Sequence, residues 1–239
     1  RNRVRVSSAL WAFGVLALLL VVAISTAQAK PLALASPSAA AASSAAHRCL
    51  TMTGSGDPAF VRNFNPYTAT SLPSGSFVRG AFYEPLIITP SGGKAQYPWL
   101  AQSFKWTNGG RQLHLVIRKN VKWSDGKPLT AADVVYSLTA GKQDKTMDMI
   151  GAYRAGTNVA GVAQEGSNGV RISLKQPDSQ FIASQLNLQF VVPKHIFSKQ
   201  KKIATWTNPN PVGSGPFTKI TRFTTQDYVL DKNPSYWKS

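Results

Sequence analysis

The sequence predicts an α/β protein that carries an export signal at its start, and three observations support this. Arg1, Arg3 and Arg5 precede an apolar run from about residue 9 to residue 24, and Ala27-Gln28-Ala29 follows. Beyond residue 50, short aromatic and β-branched runs are separated by Gly and Pro, which is typical of many short strands. Near residue 130, one segment carries a complete helix-start pattern.

Residues 1–29 have the order of a secretory signal peptide: basic residues, an apolar stretch and a small-x-small cleavage site. The apolar run is shorter than the about 20 residues that a membrane-spanning helix needs. We therefore expect cleavage after Ala29, with an uncleaved membrane anchor as the alternative. The chain does not begin with Met, so we expect at least one residue before Arg1.

Residues 30–49 are mostly Ala, Ser, Pro and Leu, with too little bulky apolar surface to offset the entropy of ordering. We interpret them as a flexible tether to a fold that begins at residue 50. Cys49 is the single cysteine of the chain, so no disulfide can form within it. Because Cys49 lies far from the apolar run, we expect a free thiol rather than a lipid anchor. The protein is expected to be exported, periplasmic or associated with the cell surface.

The chain is strongly basic, with 27 Lys and Arg against 10 Asp and Glu and a net charge of +17. Such a charge favours anionic partners such as nucleic acid, lipid head groups or cell-wall polymer. The basic residues are scattered, however, and their densest run is Lys199-Gln200-Lys201-Lys202. A solvated basic surface is therefore the favoured interpretation, and no nucleic-acid partner is expected for an exported protein.

The pattern between residues 104 and 118 predicts a β-hairpin. Asn108-Gly109 tolerates the positive φ of a tight turn and lies between two strand-like runs. Leu113, Leu115 and Ile117 then share one face, and His114 points to the other, where we expect solvent rather than a ligand.

The next unit is a strand end at Val121-Lys122-Trp123, a turn at Ser124-Asp125-Gly126 and a helix. Thr130 and Asp133 have the spacing of a capping box, which satisfies free amides at the helix start. Val134, Val135 and Leu138 are its expected buried stripe, and Gly141 is expected to end the helix in a left-handed conformation.

Shorter and less regular patterns predict the remaining elements. Residues 142–169 are expected to form loops with at most one short helix, and 208–216 a rigid loop. Other expected elements are a strand at 170–175, a helix at 181–188, a short strand at 191–192, a helix after Pro193 and a hairpin with strands at 217–220 and 228–230.

No motif indicates catalysis. The three histidines are far apart, so no metal site and no cofactor are expected. The sequence does not exclude a carboxylate pair of the glycosidase type. Glu84, Asp125 and Asp133 have boundary, turn and cap explanations, and no acid is expected in an apolar setting that would shift its pKa. Gly213-Ser214-Gly215 lacks the spacing of a nucleophile turn and is expected to pack in the core.

Nine motifs in fixed order resemble the extracellular solute-binding proteins of peptide and nickel ABC transporters, from about residue 51 to residue 239. They are Phe64-Asn65-Pro66, Tyr83-Glu84-Pro85-Leu86, Pro98-Trp99-Leu100-Ala101, Leu115-Val116-Ile117-Arg118-Lys119, Val121-Lys122-Trp123-Ser124-Asp125-Gly126, Leu129-Thr130-Ala131-Ala132-Asp133-Val134, Val192-Pro193-Lys194, Asn210-Pro211-Val212-Gly213-Ser214-Gly215-Pro216-Phe217 and Asn233-Pro234-Ser235-Tyr236-Trp237. Two departures are mild: Ser214 stands where the family more often has Thr, and Gly109-Gly110-Arg111 where it often has Asp-Gly-Lys.

The resemblance implies a two-lobed clamshell of the periplasmic-binding-protein type. Lobe I would comprise a core at residues 50–84 and 177–239 and an inserted subdomain at residues 85–176. Members of the family are usually more than twice as long, so lobe II is expected to be absent from this chain.

The resemblance also implies a function. An oligopeptide would bind between the lobes and be delivered to the permease subunits of an ABC importer, without catalysis. The expected lobe I contacts are Arg62, Asn63, Phe64, Asn65, Phe82 and Tyr83. A nickel chelate or another small solute is the alternative ligand, and a cell-wall-associated enzyme is the alternative from another class.

Overall fold

The computed structural model describes residues 3–7, 49–53, 59–68, 80–90 and 95–238. The apolar run, the predicted cleavage site and most of the tether lie outside these residues. The elements are β1 (Arg3–Ser7), β2 (Cys49–Thr53), β3 (Ile87–Ile88), β4 (Tyr97–Pro98), β5 (Ala101–Thr107), β6 (Gln112–Ile117), α1 (Ala131–Thr139), β7 (Val159–Glu165), β8 (Gly169–Leu174), α2 (Phe181–Ser184), α3 (Lys194–Phe197), β9 (Phe217–Phe223) and β10 (Asp227–Lys232).

An antiparallel sheet with the order β5-β6-β8-β7 forms the centre of the first half. The predicted hairpin between β5 and β6 is confirmed, with φ of 50° at Asn108 and 60° at Gly109. Leu113, Leu115 and Ile117 are all buried on one face. The strand at 170–175 is confirmed as β8, whereas the expectation of loops throughout 142–169 is wrong because β7 pairs along β8.

Helix α1 packs on β7 and β8 and begins with the predicted capping box. The Asp133 carboxylate accepts a hydrogen bond from the Thr130 amide at 2.9 Å. The prediction for Gly141 is wrong: its φ is not positive, and the chain continues into a 3-10 turn at Ala140–Lys142. A side chain at Gly141 would meet the Cβ of Asp148 at 2.7 Å, so packing rather than a cap requires glycine here.

A second sheet has the order β2-β1-β10-β9. The predicted hairpin at 217–230 is confirmed as β9 and β10, which pair antiparallel. Strand β1 pairs antiparallel with β10 and parallel with β2. Residues 3–7, which the sequence assigns to the signal peptide, thus lie between two strands, and cleavage after Ala29 stays a prediction.

Three shorter predictions differ in detail from the structure. The helix expected at 181–188 is broken at Gln185, with φ of −124°, into α2 and a 3-10 turn. Residues 191–192 are buried but belong to no strand. The predicted strand end at Val121-Lys122-Trp123 is reduced to a single β-bridge between Lys122 and Pro128. No described strand continues directly after Pro128, as predicted. The helix after Pro193 is confirmed as α3.

The buried apolar residues form two clusters. One surrounds the β5-β6-β8-β7 sheet, α1 and Trp123. The other joins the segment around Phe64 to α3 and β10. Residues 81–87, called the junction segment below, pass from the second cluster (Phe82, Tyr83) to the first (Leu86, Ile87).

The loop at 208–216 forms no helix or strand and packs directly on the junction segment, as predicted for its glycines. The Gly215 amide donates to the Phe82 carbonyl at 3.0 Å. A Cβ at Gly213 would overlap the Phe82 carbonyl, and one at Gly215 would overlap the Ala81 carbonyl. Only glycine lets the two backbones approach this closely.

Replacing Gly213 with alanine is therefore expected to lower the free energy of unfolding by about 1–3 kcal/mol, because two backbone segments must separate. Gly161→Ala is the matched control, since nothing lies within 4 Å of a Cβ there. Urea unfolding of both variants tests this, and equal stabilities would contradict the close packing.

Candidate functional site

The candidate site begins with the opening loop, residues 59–68, which lies along residues 203–209. The Phe64 amide donates to the Thr207 carbonyl at 2.8 Å. The Asn65 side-chain amide donates to the carbonyls of Ile203 and Trp206, both at 2.8 Å. Its Oδ1 accepts from the Tyr67 amide at 3.1 Å, which forms a local turn around Pro66. Side-chain hydrogen bonds therefore fix this loop in place.

Five of the six predicted contact residues are buried in this chain. Phe64, Asn65, Phe82 and Tyr83 are 0% exposed and Asn63 is 3% exposed. The Asn63 side chain bonds to Thr68 Oγ1 at 2.7 Å, and its Oδ1 accepts from the Asn65 amide. These groups support the loop, so any ligand contact at this surface must use the residues that the loop leaves exposed.

Two aromatic side chains hold the base of the loop. The Phe64 ring lies 5.0 Å from the Phe82 ring. The Tyr83 hydroxyl accepts from the Asn208 amide at 2.6 Å, and burial raises the pKa of Tyr83 beyond its usual range. Tyr83 therefore stays neutral, and its hydroxyl is a buried hydrogen-bond partner of Asn208.

Arg62 is the predicted contact residue that the structure exposes. Its guanidinium lies 5.7 Å from the centre of the Phe223 ring, and its Nε donates to the Pro209 carbonyl at 3.4 Å. Within the described part of the chain, no carboxylate pairs with Arg62. Val61 beside it is 51% exposed. Arg62 and Val61 thus present a positioned positive charge next to an exposed apolar side chain.

Glu84 corrects the expectation that no acid lies in an apolar setting. This carboxylate is 1% exposed. Its Oε1 accepts from the Trp99 indole at 2.7 Å and the Tyr236 hydroxyl at 3.1 Å, and its Oε2 accepts from the Trp237 indole at 3.1 Å. Burial raises the pKa of Glu84, and these hydrogen bonds oppose the shift. Sequence alone gave no signal, because two of the donors are some 150 residues away.

Two cations complete the surroundings of Glu84. The Arg118 guanidinium lies 4.6 Å from the Trp237 ring centre, and the Lys238 ammonium lies 4.0 Å from that of Trp99. The two indole rings meet edge to face at 5.4 Å. The cluster is saturated with protein partners, so it holds the structure together rather than offering a site to a ligand.

The other described polar groups include a histidine on the central sheet and a buried serine. His114 is half-buried on the outer face of its sheet, bonded to Glu165 at 2.8 Å and to Thr107 at 2.9 Å. Ser214 is fully buried in the core. Among the described residues, no group of three or more His, Cys, Asp or Glu could hold a metal ion. The same residues include no helix with the length and apolar character needed to cross a bilayer.

Comparisons with known proteins show what the chain is similar to. The model of the bacterial extracellular solute-binding proteins, family 5, matches residues 95–239. A putative ABC transporter peptide-binding protein of Brucella ovis is 30% identical over 188 residues, which cover 76% of this chain and 34% of the relative. The chain thus spans about a third of the length of the first curated relatives that it matches.

Two solved structures extend the comparison. A periplasmic oligopeptide-binding protein of Thermotoga maritima matches with a TM-score of 0.65 at 26% identity, over 75% of this chain and 32% of its own; it was also solved with bound mannohexaose. The oligopeptide-binding protein AppA of Bacillus subtilis, solved with a nonapeptide, matches with a TM-score of 0.56 at 28% identity, over 68% and 32%.

The raised pKa of Glu84 predicts a pH dependence. Above the usual carboxyl pKa of about 4.3, the unfolded chain loses this proton first. The folded state then binds more protons, so the contribution of Glu84 to stability falls as pH rises through its raised pKa. In Glu84→Gln this titration is absent, and the amide leaves one indole donor without an acceptor, which costs about 1–3 kcal/mol.

The stability gap between the parent chain and Glu84→Gln should therefore be largest near pH 4 and shrink toward neutral pH. Glu165 is the control, since its hydrogen bond with His114 lowers its pKa. The gap for Glu165→Gln should instead shrink as pH falls. Urea unfolding across this pH range measures both, and a pH-independent gap for Glu84→Gln would contradict the prediction.

Proposed function

The chain belongs to the bacterial extracellular solute-binding proteins of family 5, and from this we propose that it is the substrate-binding part of an ABC importer. In the proposed mechanism, an oligopeptide binds between two lobes, the lobes close, and the closed form delivers it to membrane permease subunits. This chain supplies one wall, and it catalyses no reaction.

The observation that carries the ligand proposal is the similarity to peptide-binding relatives over three quarters of the chain. Such proteins need affinity without strict side-chain selectivity. Backbone hydrogen bonds to an extended peptide provide this, because every peptide offers the same groups. The opening loop leaves Val61 and Arg62 exposed, and such a peptide would lie beside them.

We propose Arg62 as the side-chain contact within the predicted wall. Asn63, Phe64, Asn65, Phe82 and Tyr83 act by holding the loop that presents it. The guanidinium has free donors and no competing carboxylate among the described residues, so it can pair with a peptide carboxylate. Such charge-assisted hydrogen bonds are about twice as strong as neutral ones.

Native mass spectrometry of the gently purified full-length protein, with both walls of the cleft present, tests the ligand class. We expect a series of bound masses that differ by amino-acid residues, which indicates a peptide carrier. One sharp adduct with the mass of a nickel chelate, sugar or other single solute would replace the oligopeptide proposal. Turnover of a cell-wall substrate without any adduct would contradict the transport proposal as a whole.

A substitution tests the role of Arg62. Arg62→Gln should weaken binding of the recovered peptides about tenfold, which corresponds to about 1.4 kcal/mol, with unchanged unfolding. Arg111→Gln is the matched control, since Arg111 is also exposed but lies on the β5–β6 hairpin. Isothermal titration calorimetry measures both, and equal affinities for the two variants would exclude the assigned contact.

A further inference from the structure

A second surface adjoins the opening loop and is distinguished by its charge. No acidic residue occurs between Asp178 and Asp227. Within this stretch, residues 194–202, called the basic segment below, carry four lysines whose side chains are all exposed. They are Lys194, Lys199, Lys201 and Lys202.

The basic segment is held rigidly from beneath. Phe197 is buried, and its ring packs edge to face against Tyr67, Tyr83 and Trp206. Ile203, directly after the segment, is also buried. The chain between them turns tightly, with the Gln200 amide donating to the Phe197 carbonyl at 3.1 Å. The backbone that carries the four lysines is therefore anchored to the core.

The neighbouring carboxylates are engaged by other groups. Asp133 accepts from the Lys194 backbone amide at 2.9 Å, and Asp144 accepts from the Ile203 amide at 3.2 Å. Asp125 bonds to the His195 ring at 2.8 Å. In the parts of the chain that the structure describes, none of the four lysine ammonium groups pairs with a carboxylate. The four ammonium groups are thus available to an external anion, although the three contacting carboxylates lower the net charge of the segment.

The composition of the segment indicates what kind of anion it suits. All four cations are lysines, which act as hydrated point charges, whereas shaped carboxylate or phosphate sites favour the planar fork of arginine. Phe197 in the segment and Ile203 just beyond it are buried, and Ile196 is half-buried against the second apolar cluster. The segment therefore exposes no whole large apolar side chain that could insert into a groove. Such a surface suits a broad, uniform layer of negative charge.

We propose that the basic segment docks this protein on the anionic lipid head groups of a membrane. Each lysine close to an anionic bilayer adds to the binding free energy. Salt screens this attraction beyond the Debye length, which is about 30 Å at 0.01 M and about 3 Å at 1 M. The contact is peripheral and reversible, and it would concentrate the protein at the membrane surface. It requires no bound peptide.

Vesicle co-sedimentation of the full chain tests this. We expect binding to vesicles of phosphatidylglycerol and phosphatidylcholine at about 0.05 M salt, release at about 0.5 M salt, and no binding to phosphatidylcholine alone. Changing the four lysines together to glutamine should weaken binding at least tenfold.

The matched control changes four exposed lysines elsewhere to glutamine and lowers the net charge by the same amount. These are Lys105, Lys122, Lys175 and Lys232. The control should retain most of the binding. Equal loss in both variants would assign binding to net charge alone and overturn the proposal. The proposal is also overturned if the parent chain does not bind anionic vesicles. Binding to an acidic protein without binding to vesicles is one such result.

Discussion

The structure depends most on the backbone of the junction segment, residues 81–87, which runs between the two buried clusters. Its carbonyls accept from distant parts of the chain: the Phe82 and Ala81 carbonyls from Gly215 and Phe217, and the Leu86 carbonyl from Trp99 and Ala101. The Val191 amide donates to the Glu84 carbonyl at 3.3 Å. The Glu84 carboxylate adds three side-chain donors. A buried backbone must satisfy its polar groups internally, so the packing of both clusters is tied to this one segment.

This constraint explains how the candidate binding surface is held. Phe82 and Tyr83 of the junction segment support Phe64 and Asn208, and Asn208 in turn bonds to the Phe64 carbonyl at 3.3 Å. The opening loop is therefore positioned by groups that also belong to the core. The predicted contact residues other than Arg62 are buried because they pack within or beneath the opening loop and hold it in one conformation. The exposed Arg62 and Val61 are what that foundation presents.

The sequence predicted the local features well and the long-range ones poorly. The hairpin at Asn108-Gly109 and the capping box of α1 depend on neighbouring residues, and both are present. Strand β7 was missed because its Ala and Gly residues carry little strand preference, and its pairing with β8 decides its conformation. The role of Glu84 was missed because its hydrogen-bond donors, Trp99 and residues 236–237, are distant from it in the sequence. The six proposed contacts came from resemblance, which gives position along the chain but not exposure.

The central claim is that the junction segment joins the two clusters into one cooperative unit. Native-state hydrogen exchange in Glu84→Gln tests it most directly, since it measures opening at each amide. The amides of Val191, Trp99, Ala101 and Gly215 donate to carbonyls of this segment. We predict that all four lose protection together and by a similar free energy. Loss of protection confined to residues 233–238, with these four amides unchanged, would contradict the claim.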